Sequence, residues 1–390
     1  MMKKFRDVYL DYSATTPLIP EVFEAMIPYL KEKFGNPSSI HKFGQETRAA
    51  IEIARDDIAK LLNARQSEIY FTSGGTESIN FALIGSARIL RKEYGKNEII
   101  TSMAEHHAVL ETCKFLESEG FRIIYLKPDI NGRVSPKQIE NNLSEKTGLI
   151  SLIHINNEIG SINDIFTIAE ITSKNKVIFH VDAVQSFGKV KFDVSKLKID
   201  MLSASAHKIN GPKGAGFLYV RSETPISPII FGGSQERNRR GGTENVAGII
   251  GLATAAKIAY SRVEENHSKV SQIKNYMINQ LQKFEDKILF NSPAENCSPY
   301  ILNISFNPKY FDIDENTLIM NFAIRGVAVS SGSACTSGVL EPSHVLLALG
   351  YDEKRSSSAV RFSFSPQTTF DEIDYTIEVM EEIIKLLIRR

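Results

Sequence analysis

The chain has 390 residues, 42% hydrophobic and 24% charged, with 46 Lys and Arg set against 46 Asp and Glu. That composition excludes a mainly disordered chain, and a zero formal charge leaves no field to attract a polyanion, so nucleic acid is not expected as a primary partner. Three cysteines, an odd number without C-x-x-C spacing, argue against a disulfide framework and a zinc site.

Residues Met1 to Arg6 are basic but run into Asp7 and Asp11 rather than an apolar core, so no secretion signal is read and a cytoplasmic protein is expected. From about residue 45 to 220 helix and strand patterns alternate. Gln45 to Asn63 has apolar residues at helical spacing, Glu68 to Thr72 reads as a strand, and a helix starts at Glu77. Apolar runs follow at Ile99 to Thr101, Ile123 to Leu126, Leu149 to His154, Val177 to Val181 and Met201 to Ser203, with helical stretches between most of them. This is the signature of an α/β fold with a mostly parallel sheet between helices. After Gly241 the rhythm changes. One long helical pattern, Asn245 to Phe284, leads into a smaller α+β unit with strands at Ile301 to Phe306, Val327 to Ser330 and Val360 to Phe364 and a final helix to Arg390. The nearly apolar stretch Val246 to Ala256 stops at Lys257, too short to span a bilayer, which takes about 20 residues.

Open α/β sheets bind ligands at the carboxyl ends of their strands, and four such places carry unusual residues. At Phe71 to Ser78, F-T-S-G-G-T-E-S, a strand enters Gly74-Gly75 before Thr76 opens a helix, which offers backbone N–H groups and a hydroxyl to a phosphate. A plain glycine turn with a Thr cap is the other reading. At His180 to Ser186, H-V-D-A-V-Q-S, Asp182 ends an apolar strand where a carboxylate needs a cationic partner, in a structural salt bridge or in a site; Gln185 could reach the same space. At Ser203 to Gly214, S-A-S-A-H-K-I-N-G-P-K-G, Lys208 follows a strand beside Ser205 and His207. Partial burial would favour its nucleophilic amine form, although most lysines are surface groups. A phosphate cradle, a buried Asp and a nucleophilic Lys are together what pyridoxal phosphate requires. Finally, Cys335 lies in A-V-S-S-G-S-A-C-T-S-G, too small and polar for a core strand, which predicts a mobile surface loop with an available thiol. Cys113, at helical spacing with Leu110 and Leu116, reads as a core residue, and Cys297 as incidental.

With these residues assembled, the sequence resembles the cysteine desulfurases of the class V aminotransferase group, in the subgroup of iron–sulfur and nitrogenase-type enzymes. The match runs nearly end to end, through L-D-Y-S-A-T-T-P at Leu10, G-N-P-S-S at Gly35, E-H-H-A-V-L at Glu105, N-N-E-I-G at Asn156, R-G-G-T-E-N at Arg240, S-S-G-S-A-C-T-S at Ser330 and L-E-P-S-H-V-L-L-A-L-G at Leu340. The resemblance implies a fold-type I pyridoxal phosphate transferase, with a large domain of residues 16–263 and a small domain of residues 1–15 and 264–390. It implies Lys208 as the lysine linked to the cofactor, Asp182 as partner of the pyridine nitrogen, and Gln185 and Asn157 at the ring. Gly75, Thr76, Ser205 and His207 would hold the phosphate, with Thr243 supplied by the second subunit of a homodimer. His106 would stack on the ring and move protons, with His107 ordinary; Arg361 and Asn36 would bind the substrate α-carboxylate; and Cys335 would take sulfur from L-cysteine as a persulfide, leaving alanine. No metal site is implied, except that Cys335 could ligate a cluster transiently. The partner would be an iron–sulfur scaffold or another sulfur acceptor. The chain ends at Arg390 without the tail that housekeeping members use to dock a scaffold, which keeps a nitrogenase-type or sulfur-transfer paralogue in view. Gly75 is commonly Ala in relatives, a change expected to be harmless. The rivals are a class V selenocysteine lyase or aminotransferase, which would not need Cys335, and a non-catalytic scaffold.

Overall fold

The computed structural model describes residues 6–313, 315–331 and 342–388. Its central sheet has seven strands, ordered edge to edge Ile69–Thr72, Gly216–Val220, Met201–Ser205, Ile178–Asp182, Thr147–Ile153, Glu98–Ser102 and Arg122–Leu126. Every neighbouring pair is parallel except the two made by Gly216–Val220. That strand is absent from the sequence-based reading. All five of its residues are buried, and it begins at a glycine directly behind a glycine-rich turn, with no helical pattern to set it apart from the strand before it.

Helices cover both faces, as a sheet of doubly buried Ile, Val and Leu runs requires. Gly75–Tyr94 and His107–Ser118 pack through Ile79, Leu83, Val109 and Cys113 on one face. Lys42–Leu62, Ile165–Lys174 and Val246–Ser261 pack through Ile58, Ile168 and Leu252 on the other. A separate apolar cluster joins Ile273, Met277, Ile304, Phe362 and Met380 to Val8 and Leu10 from the chain's start. It surrounds a three-stranded antiparallel sheet in the order Ala359–Ser363, Ile301–Phe306, Ile288–Phe290.

The single long helix expected over Asn245 to Phe284 is two helices, Val246–Ser261 and Val263–Leu281, bent by 72° at a break. Arg262, with φ −119° and ψ 14°, leaves the helical region there. The break lets Ala253 and Ala256 enter the sheet core while Val270, Ile273 and Met277 enter the second cluster. Among the described residues no single helix is long and apolar enough to cross a membrane; the bent pair passes that test by length and composition, and its first helix is largely buried.

One buried ion pair braces the edge strand that leads into the phosphate turn. Arg55 meets both oxygens of Glu236, at 2.6 and 2.8 Å, with side-chain exposures of 4% and 2%. Glu236 also accepts from Phe71 N at 2.9 Å, and Arg55 donates to Ile69 O. This holds a turn in which Glu236, Arg237 and Asn238 all have positive φ, of 44°, 56° and 61°. Removing the cation would leave a buried carboxylate unpaired, so Arg55→Met is expected to lower unfolding stability by about 3–5 kcal/mol in urea titrations.

Candidate active site

A cavity of about 360 Å³ opens where the parallel strands end. It is lined by Gly75, Thr76, His106, Asn157, Asp182, Gln185, Ser205, His207, Lys208 and Arg361, so ten of the residues singled out in the sequence converge on one space. Ser13, Ala14, Ile79, Ile153 and Val184 complete the wall.

One end of the cavity suits a phosphate. The helix Gly75–Tyr94 has Gly74 at its N-cap with no side-chain cap, so its first-turn N–H groups face outward without the oxygen a Ser or Asp would supply. The turn can lie against the next loop because both approaching residues lack a Cβ: one added to Gly216 would stand 2.7 Å from Gly74 Cα. The expected harmlessness of alanine at position 75 does not hold here, since its Cβ would lie 2.7 Å from Val184 Cγ2 and that side chain would have to turn away. Glu77, in the same first turn, accepts from Ser73 N at 2.9 Å and from Arg240 Nε at 2.8 Å. Burial alone would raise its pKa, but these bonds bring it below the ordinary value.

The floor carries the charged groups. Asp182 is the last residue of its strand, is buried, and accepts from Val184 N at 2.9 Å. Burial pushes its pKa up to about 6, against the pull of the Val184 N–H and the Lys208 charge. Lys208 closes the short turn Ala206–Lys208 after the strand Met201–Ser205, and donates to the carbonyls of Ser13 and, at 2.8 Å, Ala14. Gln185 Nε2 donates to the same Ser13 carbonyl at 2.9 Å. Arg361, from the second cluster's sheet, binds Asp11 Oδ1 at 2.9 Å and the Asn157 carbonyl at 3.0 Å, while its Nε is buried without a partner.

The histidines are neutral. His106 caps the helix His107–Ser118, its Nδ1 accepting from Ala108 N at 3.0 Å, so its proton resides on Nε2. Burial, then the charge of Lys208, lowers its pKa to about 4. His207 lies at about 4 for the same two reasons and contacts Thr15 Oγ1 at 3.2 Å. His180, of the H-V-D segment, is a core residue pushed down to about 3 by burial, and it joins Ser151 to Ser203 across the sheet.

Not every expected site residue lies here. Asn36 is exposed, holds Ser38 N at 2.9 Å and is not on the cavity wall. Thr243 lines a different, shallower cleft with Arg240 and Asn245. Cys335 lies outside the described residues. Of the other thiols, Cys113 is fully buried with its pKa driven up to about 12, and Cys297 contacts Lys274 Nζ at 3.1 Å, away from the cavity. His107 is not on the cavity wall; its ring lies 4.5 Å from that of His344, which bonds the Glu105 carbonyl at 2.9 Å. Among the described residues no group of three His, Cys, Asp or Glu is placed to hold a metal.

The sequence reading missed Asp11, Ser13 and Ala14, whose motif it quoted without assigning roles. It also missed Glu105, whose Oε1 accepts from Ile153 N at 2.9 Å and whose pKa burial drives well upward. A carboxylate-bearing residue immediately before His106 was the available signal.

A nucleophilic lysine facing a buried carboxylate, with an uncapped helix N-terminus at the cavity's end, defines a pyridoxal phosphate enzyme of fold-type I. The residues fit that group: the Asn157 Oδ1 atom is buried with no partner of its own, and Asp182 is a carboxylate awaiting a cation. Residues 8–376 match the aminotransferase class-V family. A cysteine desulfurase IscS of Dictyoglomus turgidum is 48% identical over 382 residues, covering 98% of this chain and 95% of that protein. Among solved structures a NifS-like protein superposes with TM-score 0.90 at 38% identity, covering 98% of this chain and all of that one. SspA in complex with cysteine superposes at 0.79 with 37% identity, covering 93% and 100%. The chain belongs to the class-V aminotransferase family and, within it, groups with the cysteine desulfurases.

The Asp182 carboxylate is a liability until a cation faces it. A folded-state pKa near 6 against 3.8 means that stability present below pH 4 is lost as pH rises through 6, by about 3 kcal/mol. Asp182→Asn should therefore raise the melting temperature of the cofactor-free protein at pH 7.5, leave it nearly unchanged at pH 4, and weaken cofactor binding. An equal shift at both pH values would contradict this account.

Proposed function

We propose that this cysteine desulfurase removes sulfur from L-cysteine, passes it to Cys335 as a persulfide and releases L-alanine. The observation that carries the reading is the convergence of Lys208, Asp182, His106 and Arg361 on one cavity. The two flanks of the Cys335 segment support it further: Ser330 pairs with the backbone of Arg361, and Ser343 bonds Glu158 while His344 bonds the Glu105 carbonyl.

Pyridoxal phosphate, held by Gly75, Thr76, Ser205 and His207 at its phosphate and by Asp182 at its ring nitrogen, supplies an electron sink for the bond-breaking at Cα. Arg361 takes the substrate carboxylate through a planar guanidinium already oriented by Asp11 and the Asn157 carbonyl. Lys208 Nζ would be the base that removes the Cα proton. It is steered by the Ser13 and Ala14 carbonyls. His106, neutral with its proton on Nε2, presents a hydrogen-bond donor on the cavity wall at neutral pH. The Cys335 thiolate attacks the substrate sulfur. A sulfur–sulfur bond forms, the carbon–sulfur bond breaks with its electron pair on Cβ, and protonation there followed by return of a proton to Cα yields alanine.

Thr243 and Asn36, off this chain's own cavity, fit a homodimer in which the second copy supplies Thr243; Asn36 is read with them as a substrate contact. The reading takes residues 16–263 as the cofactor-binding domain and residues 1–15 with 264–390 as the small domain. An iron–sulfur scaffold or another sulfur acceptor is the partner in this reading, which also takes the protein as cytoplasmic; the relatives named cysteine desulfurase IscS support a sulfur-acceptor role.

The test is to incubate the holoenzyme with L-cysteine, quantify alanine and look by mass spectrometry for one added sulfur on Cys335. Cys335→Ser is expected to lower alanine formation at least about 100-fold while keeping the cofactor bound. Full-rate alanine formation by that variant would sink the proposal in favour of a lyase or aminotransferase that has no use for the thiol. Lys208→Ala should leave no lysine-linked cofactor after borohydride reduction; a scaffold protein would show none in the wild type either.

A further inference from the structure

Behind the cofactor cavity lies a second cavity, of about 410 Å³, between the two apolar clusters. Lys208 lines both, and between them stands Lys189, a lysine that the chemistry above does not use. Its Nζ donates to Gln185 Oε1 at 3.1 Å and lies 5.1 Å from the centre of the Tyr300 ring. Gln185 Nε2 then faces the Ser13 carbonyl at 2.9 Å, on the Lys208 side.

We propose that Lys189 is a positioning residue that sets which way round the Gln185 amide faces and places a positive charge behind the cofactor-linking lysine. A side-chain amide is nearly symmetric in shape, so sterics alone do not choose between its oxygen and its nitrogen. An ammonium has donors only and accepts nothing, so it favours Oε1 toward Lys189, and the Ser13 carbonyl, which only accepts, favours the N–H groups on the cavity side. This rests on the reading of Gln185 as a donor to the ring oxygen of the cofactor; a flipped amide would present a carbonyl to an anionic oxygen and repel it.

The electrostatic surroundings make that role depend on pH. Burial, with Lys208 and Arg361 adding repulsion, brings Lys189 down to about 7, so it is an ammonium below neutral pH and gives up its charge as pH rises through 7. On the outer side the charged groups of the second cavity are Arg262, Glu265 and Lys269, with the phenols of Tyr12 and Tyr300. Burial raises both phenols, Tyr300 to about 12, so neither offers Lys189 an anion near neutral pH.

The experiment uses the wild type and the Lys189→Met, Lys189→Gln and Lys189→Arg variants, each purified and loaded with pyridoxal phosphate. It reads the pH midpoint of the visible band of the Lys208-linked cofactor, the cofactor dissociation constant and the melting temperature. Loss of the charge and of the amide's orientation both favour keeping the proton on the linking nitrogen. The midpoint should therefore rise by about one pH unit in the Met and Gln variants, and remain at or below the wild-type value in the Arg variant. Cofactor binding should weaken about tenfold in Met and Gln only. A melting temperature that falls with the midpoint unmoved would assign Lys189 a packing role and overturn the proposal, as would an Arg variant that shifts like Met. The band reports on Lys208 and its cofactor before any sulfur chemistry, so failure here is distinguishable from failure of the desulfurase reading.

Discussion

The carbonyls of Ser13 and Ala14, turned toward Lys208, are the contact on which the site depends. They belong to a short strap, residues 10–16, that is fastened at both ends. Toward the small sheet, Leu10 donates to Ala328 O, Ser363 donates to Leu10 O, and Ser13 N donates to Ser363 Oγ at 2.8 Å. Toward the large sheet, Thr16 N and its hydroxyl both reach His207 O, at 2.9 Å. Lys208 and Arg361 come from different sheets. This strap, together with the Asp11–Arg361 pair, sets the distance between them.

Desolvation then sorts the site's titratable groups by charge. It neutralises His106 and His207, pushes Glu105 upward, and raises Asp182 to about 6. The positive charge that remains is concentrated in Lys208 and Arg361, where substrate and cofactor present anions. Removing an ionised group from water is unfavourable unless another charge meets it, so the empty cavity is less stable than the loaded one. That is a common cost of preorganised sites.

Much of the architecture is legible in the chain because buried parallel strands read as short runs of Ile, Val and Leu between helical patterns. The motif residues at the ends of those strands fall together because parallel strands all end on the same edge. What escapes a linear reading has identifiable causes. Gly216–Val220 begins at a glycine directly behind a glycine-rich turn, with no helical pattern to set it apart from the strand before it. The break at Arg262 has no Pro or Gly to announce it, and it exists because the two helices on either side serve different cores.

The residue types proposed to carry the chemistry, Lys208, Asp182, His106 and Arg361, are legible in the sequence alone, since their side chains supply a nucleophile, a carboxylate, an imidazole and a guanidinium at the ends of apolar runs. The tertiary structure decided how they are tuned and which others matter. Ser13, Ala14 and Asp11 act through contacts about 170 to 350 positions away in the chain, and a pKa near 6 for Asp182 arises from burial that no local pattern encodes. Hydrogen bonding and desolvation depend on what surrounds a group in space, and for this site the surroundings are assembled from both ends of the chain.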